Sequence, residues 1–310
     1  MTESWSARRQ APAKLNLALA VAPPNPAPPE GDGLHPIASW MVAIDLYDDV
    51  SVARLPADRT SRYAIRWHAK APRQSTIDWS ISKDLAVRAH LLLEQTVGRT
   101  LPVAITVEKR IPVGAGLAGG SSDGAAALLA IRELFDLDIS NDDLRNLAMV
   151  LGSDLAFFLT DEDEVTPRPA LVEGVGDRIE RTPPVAASTQ GPHVALILPD
   201  FDCSTPAVYK AFDGMGEQPF YADWARAAAM DAKLNADALF NDLASPASVV
   251  QPRLGELRTV AEDAIHRPVH VTGSGSGMFV VLDDDADATI ETLRAIDDLR
   301  ACAVVPARII

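Results

Sequence analysis

Four glycines and two hydroxyls crowd into Pro112-Val-Gly-Ala-Gly-Leu-Ala-Gly-Gly-Ser-Ser122, directly ahead of an apolar-periodic stretch. With no Cβ atoms at Gly114, Gly116, Gly119 and Gly120, the backbone can turn through positive φ and bring its N–H groups up against an anion. Ser121 and Ser122 are placed to cap the helix that follows, whose positive end attracts the same anion. Such a loop is suited to holding phosphate. Phosphoryl transfer also needs an acceptor hydroxyl in line, its proton guided away, and the charge on the phosphate oxygens offset. Two residues have the right types. Lys14 lies in the apolar run Leu15, Leu17, Leu19, where a buried ammonium requires a partner. Asp154, just after Gly152 at the start of a helix, is the candidate base, with a plain N-cap the alternative for a Gly-Ser-Asp taken alone, and Lys14 is expected to pair with it and with the acceptor oxygen.

These residues need elements to hold them. Leu101 to Val107 alternates like a strand, and Ala127, Leu128, Ile131, Leu134 and Phe135 are spaced for one buried helical face, so the loop reads as strand, glycine turn, helix. Ile37 to Leu55 has the apolar content of a sheet member, and Lys83 to Val97 has helical periodicity. Ser140 with Asp143 resembles a capping box opening a helix that Gly152 ends. Val21 to Gly33 is proline- and glycine-rich and is expected to be a loop, as are the acidic run Asp161 to Glu164 and its continuation to Pro169. Arg181 to Pro192 reads as a linker. Beyond it the spacing predicts a smaller α+β domain, with strands at Val194 to Leu198, Val269 to Val271, Met278 to Leu282 and Ala301 to Val305. Its helices are expected near Ala222 to Met230 and Pro252 to Ile265.

Other chemistries fit the motifs poorly. Gly114-x-Gly116-x-x-Gly119 spells a dinucleotide fingerprint, but charged residues separate it from its strand and no second parallel strand follows. Gly120 stands where a P-loop needs lysine. His266 and His270 have zinc-helix spacing, yet Pro268 breaks that helix, and no metal ligands are assigned. Composition narrows the class further. The 310 residues suffice for two domains, and 47% hydrophobic with 23% charged residues describes a globular chain. A formal charge of -15 argues against nucleic acid. Two cysteines are too few for a disulfide framework, and no apolar run is long enough to span a membrane, so the expected location is the cytoplasm.

A set of motifs in order resembles the GHMP kinases, the superfamily of galactose, homoserine, mevalonate and phosphomevalonate kinases. They are Ala11-Pro12-Ala13-Lys14-Leu15-Asn16-Leu17, Asp32-Gly33-Leu34-His35, Asp45-Leu46-Tyr47-Asp48-Asp49, the glycine loop, and Gly152-Ser153-Asp154-Leu155-Ala156-Phe157-Phe158. Glu173-Gly174-Val175-Gly176, Ser204-Thr205-Pro206, Asn241-Asp242-Leu243 and Thr272-Gly273-Ser274-Gly275 complete it. The resemblance implies an α+β, two-domain fold: an N-terminal ATP-binding α/β domain of ribosomal-protein-like topology over 1–188 and a ferredoxin-like α+β domain over 191–310. It implies an ATP- and Mg2+-dependent small-molecule kinase, a monomer or homodimer, whose acceptor is a cytidyl-bearing sugar alcohol.

By the same resemblance Lys14 and Asp154 are catalytic. Leu85, Lys109, Pro112, Val113, Gly114, Ala115, Gly116, Leu117, Ala118, Gly119, Gly120, Ser121 and Ser122 hold the nucleotide, and Asn16, His35, Ser153 and Tyr209 hold the acceptor. Mg2+ falls mainly to phosphate oxygens with a hydroxyl of Ser121 or Ser122. The Thr272 to Gly277 turn is expected to pack beside the phosphate loop. Two positions depart from the family pattern: Leu34 replaces a tyrosine and Asp84 an asparagine. They leave open a mevalonate- or homoserine-type acceptor, or a nucleotide-binding chain without turnover.

Overall fold

A computed structural model describes residues 5–26, 33–160, 166–186, 191 and 193–310. Residues 27–32 of the proline-rich stretch, Asp32 among them, and the acidic run Asp161 to Glu164 lie outside the described residues. In chain order the elements are β1 (Ser6–Val21), β2 (Ile37–Arg54), β3 (Arg62–Trp67), α1 (Leu85–Val97), β4 (Val103–Lys109), α2 (Gly119–Leu134), α3 (Asn141–Leu151) and α4 (Leu155–Phe158). Then come β5 (Ala170–Gly174), β6 (Arg178–Arg181), β7 (Val194–Leu198), α5 (Thr205–Asp213), α6 (Ala222–Asp231), β8 (Phe240–Asn241) and α7 (Ala244–Val250). The chain closes with α8 (Pro252–Ile265), β9 (His270–Val271), β10 (Met278–Val281), α9 (Ala286–Ala295) and β11 (Ala303–Ala307). It is an α+β fold, and no helix among the described residues is long and apolar enough to cross a membrane.

The chain divides into two compact units that interleave along the sequence. One comprises Met1–Ala13, Leu46–Pro112 and Ala118–Pro167; the other comprises Lys14–Asp45, Val113–Leu117 and Arg168–Ile310. In the first unit β4 pairs antiparallel with the second half of β2, Asp49 facing Glu108, and parallel with β3. Val103, Ile105 and Val107 of β4 are buried at every second residue, as a half-covered strand requires. Asp84 caps α1 by accepting the Ala86 N–H, and Ser140 caps α3 by accepting the Asp143 N–H. Gly124 lets α2 sit close to α1 and α4: a Cβ there would meet the Leu155 side chain at 2.9 Å and the Leu85 Cβ at 3.3 Å.

In the second unit the first half of β2 pairs with β5, which hairpins to β6, and the second half of β1 pairs in parallel with β8. Four antiparallel strands form a separate sheet in the order β11-β7-β10-β9. Numbered along this βαββαβ segment, that order is 4-1-3-2, the ferredoxin-like arrangement. Ile197, Val280, Val208, Leu254, Leu257 and Leu293 build its core. The expected strands all form here, within a residue or two. Helix α8 matches its expected bounds and α6 nearly does. Unread in the sequence were α5, α7 and α9, short helices of 9, 7 and 10 residues that bury only two or three residues each.

The two histidines with zinc-helix spacing share no helix: α8 ends at Ile265, His266 takes φ 54°, and His270 lies on β9. The His270 ring lies 5.3 Å from the Phe279 ring. Burial, assisted by Arg258, pushes its pKa down to about 4. A folded-state pKa below the unfolded value means the stability is fully present above pH ~6.5 and is lost as pH falls toward 4. His270→Phe, which cannot charge, should lose less stability than the wild type between pH 7 and pH 4, read from urea midpoints. Parallel curves would contradict this.

Candidate active site

Within the second unit, the middle of the glycine loop is built on another backbone turn. Gly114 and Gly116 take φ of 70° and 69°, a region open to glycine. A Cβ on Gly116 would overlap the Thr272 carbonyl oxygen, and one on Gly277 would overlap the Ala115 carbonyl oxygen. The Ser276 and Gly277 N–H groups donate to Gly114 O and Ala115 O at 3.2 and 3.1 Å. The Thr272 to Gly277 turn therefore packs against the loop as expected. Leu117 O accepts the Lys14 N–H at 3.1 Å, which joins the loop to β1.

In the first unit, α2 begins earlier than the sequence suggested. Its first residue is Gly119, and the residue before it, Ala118, takes φ 54° and offers no side-chain cap. Ser121 and Ser122 are thus not caps; they sit inside the first turn, where Ser122 N–H already bonds Ala118 O. Gly119 and Gly120 are helical, and only two of the four loop glycines have positive φ. A helix start with no side chain over it keeps its leading N–H groups for an anion. Ser122 is buried, its Oγ has no partner among the described residues, and it lines a cavity of about 240 Å³ with Arg9, Tyr47 and Thr160.

Lys109 ends β4 on its buried face. It is 3% exposed, and its Nζ donates to Asp48 Oδ2 at 2.5 Å and to Asp123 Oδ2 at 2.6 Å. Burial disfavours the ammonium, but Asp123 and Asp48 outweigh it and hold the pKa above the usual lysine value. Burial also raises the Asp123 pKa well above the usual carboxylate range; Lys109 opposes this and the charge of Asp48 adds to it. Sequence reasoning placed Lys109 beside the nucleotide and missed both carboxylates. The available signal was the pair Asp48-Asp49 inside an otherwise apolar strand. Half-buried Leu85 opens α1 beside Gly120 and Gly124 of α2. The Asp84 carboxylate is engaged by Ala86 N–H and by the Trp79 indole at 3.3 Å.

Lys14 is 3% exposed, and its Nζ donates to Asn16 Oδ1 at 2.5 Å; Asn16 Nδ2 donates to Ser39 Oγ at 2.7 Å. Asn16 therefore orients the lysine, a role the sequence did not reveal. Gly273 leaves this ammonium room, since a Cβ there would stand 3.3 Å from Lys14 Nζ. His35 stacks at a tilt on Tyr209, ring centroids 4.9 Å apart, with Phe212 edge-on at 5.9 Å. Its Nδ1 faces Ala22 O at 2.8 Å and so carries the hydrogen. The unit thus brings Lys14 to Asn16 and His35 to Tyr209, while Leu34 is 52% exposed. In the first unit, Asp154 leads into the buried helix α4 and Ser153 before it is exposed. Among the described residues no cluster of three or more His, Cys, Asp or Glu could hold a metal ion.

Residues 84–162 match the family model of the GHMP kinases N terminal domain. The 4-diphosphocytidyl-2-C-methyl-D-erythritol kinase of Nocardioides sp. is 36% identical over 278 residues, spanning 86% of this chain and 85% of that protein. The chain belongs to the GHMP kinases. The enzyme of the same name from Caulobacter vibrioides is 33% identical, covering 94% of this chain and 97% of its own length. A crystal structure of 4-(cytidine 5'-diphospho)-2C-methyl-D-erythritol kinase superposes with a TM-score of 0.68 at 31% identity, over 93% of this chain and 96% of that one. Homoserine kinase from Cytophaga hutchinsonii, at 18% identity and a TM-score of 0.65 over 98% and 94% of the two chains, shares the fold.

In this GHMP kinase the buried lysine between two carboxylates can be probed by itself. Lys109→Met leaves Asp48 and Asp123 without their cation, a change that costs about 3–5 kcal/mol when a buried pair is broken. A urea midpoint unchanged from the wild type would refute the charge assignment.

Proposed function

We propose that this kinase transfers the γ-phosphoryl group of ATP to the 2-hydroxyl of 4-diphosphocytidyl-2-C-methyl-D-erythritol. The observation that carries the proposal is identity above 30% to enzymes of that name along nearly the whole chain. The uncapped start of α2 supports a bound triphosphate, because no side chain stands over its leading backbone N–H groups. We assign the N-terminal domain, 1–188, to ATP and the C-terminal domain, 191–310, to completing the acceptor site.

In this reading Asp154 takes the proton of the acceptor hydroxyl as its oxygen attacks the γ-phosphorus, and the bond to the β-phosphate oxygen breaks to release ADP. Lys14, held by Asn16, offsets the charge that develops on the attacking oxygen. Its burial makes that charge count for more than it would in water. Mg2+, when bound, supplies charge neutralisation on the phosphate oxygens; Ser121 in the first turn of α2 is the protein hydroxyl we assign to it. His35 and Tyr209 offer a ring pair and a polar edge to the cytosine, and Ser153 a hydroxyl to the acceptor. Leu34 supplies an aliphatic contact where the family has an aromatic one, which weakens stacking by on the order of 1 kcal/mol. Both cysteines are unbridged, in keeping with a cytoplasmic enzyme.

Purified protein incubated with ATP, Mg2+ and the cytidyl alcohol should release ADP and form a phosphomonoester. Lys14→Met and Asp154→Asn should each lower kcat by about a hundredfold or more with nucleotide affinity retained. Turnover of mevalonate or homoserine in place of the cytidyl alcohol would defeat the substrate assignment, and near-normal kcat in either variant would remove that residue's role.

A further inference from the structure

Asp48 is fully buried on β2, and both of its carboxylate oxygens are committed to the ends of the phosphate loop. Oδ1 accepts two successive backbone N–H groups, of Arg110 and of Ile111, the latter at 2.8 Å. These residues lie between the end of β4 and Pro112, so one oxygen fixes the chain as it enters the loop. Oδ2 accepts the Lys109 ammonium, which reaches on to Asp123, directly after Ser122 in α2, and so fixes the chain as it leaves. Contact between the two ends is close: a Cβ on Gly119 would meet the Ile111 side chain at 2.8 Å and stand 3.5 Å from Asp48 Oδ2. Neighbouring groups grip the same segment, Arg110 donating to Asp49 Oδ2 at 2.8 Å and to Tyr47 O at 3.1 Å.

From this we infer that Asp48 is a positioning residue for donor-nucleotide binding, setting the spacing of the loop's two ends without itself touching a reactant. The inference rests on the reading of Pro112 to Ser122 as the ATP phosphate loop. A carboxylate is needed because both oxygens must accept. The amide of asparagine could still accept the two backbone bonds, but it would turn an NH2 donor toward the Lys109 ammonium. The loss falls on the nucleotide side, since the bonds of Asp48 go to Lys109, Arg110 and Ile111 at the edge of the loop, while the bonds of Asn16 go to Lys14, Ser39 and Thr272 and the ring of His35 packs on Tyr209.

The test is Asp48→Asn under steady-state kinetics with each substrate varied in turn. The KM for ATP should rise about tenfold or more, the equivalent of one lost charged hydrogen bond, while the KM for the alcohol stays within about twofold. An unchanged KM for ATP, or an equal rise in both, would overturn the assignment by showing at most a general structural role. A wild-type enzyme that forms no ADP would instead defeat the functional reading. Amide hydrogen exchange on the wild type without nucleotide settles the bonds themselves, even if the variant does not fold. The Arg110 and Ile111 amides, although beyond β4, should exchange as slowly as those within it, and fast exchange would remove the clamp.

Discussion

Two turns of backbone approach each other in this protein more closely than any side chain would permit. Gly116 lies under the Thr272 carbonyl and Gly277 under that of Ala115, so each turn forbids a Cβ on the other. Carbonyls of the loop are consumed by the N–H groups of the second turn, which fixes the loop's backbone before any ligand arrives. A loop ordered in advance spends less of its binding free energy on ordering, and donors fixed in space are what a multiply charged phosphate needs. In a chain of formal charge -15, attraction for such a ligand has to be local.

The flanks of the loop are held by a different force. Lys109, Asp48 and Asp123 are nearly withdrawn from water, and an ammonium or carboxylate left alone there would be strongly destabilising. One lysine faces two acids, and burial, with the charge of Asp48 adding to it, raises the Asp123 pKa against the opposing pull of Lys109. The arrangement contributes to geometry more than to net stability, since a buried ion pair rarely exceeds a well-packed apolar substitute. Its effect is to join β2, the end of β4 and the N-terminal part of α2, three places apart in sequence.

Much of this could be read from residue types alone. The β2 span, the Ser140 cap, the Gly152 stop and the bounds of α8 follow from apolar period and local hydrogen bonding, which the surrounding fold does not override. The start of α2 could not be read that way. Ser121 and Ser122 look like caps because they are the first capping side chains in the run, but the left-handed Ala118 stands at the cap position three residues before Ser121, a conformation no propensity favours. The partners of Lys14 and Lys109 were hidden for another reason. A sequence shows that a buried charge needs compensation, while only pairing across distant strands shows that Asn16 meets the first and that two aspartates meet the second.

The division of the chain into compact units also bears on how the molecule can be dissected. The boundary falls inside β1, inside β2 and on both sides of Val113–Leu117, so neither unit is a continuous stretch of polypeptide. No single cut yields a fragment that contains one unit whole and nothing of the other. A gene encoding such a protein cannot donate either unit to a new partner by simple fusion, and halves expressed separately would each carry orphaned strands. Interleaving of this kind ties the inheritance of the two units together.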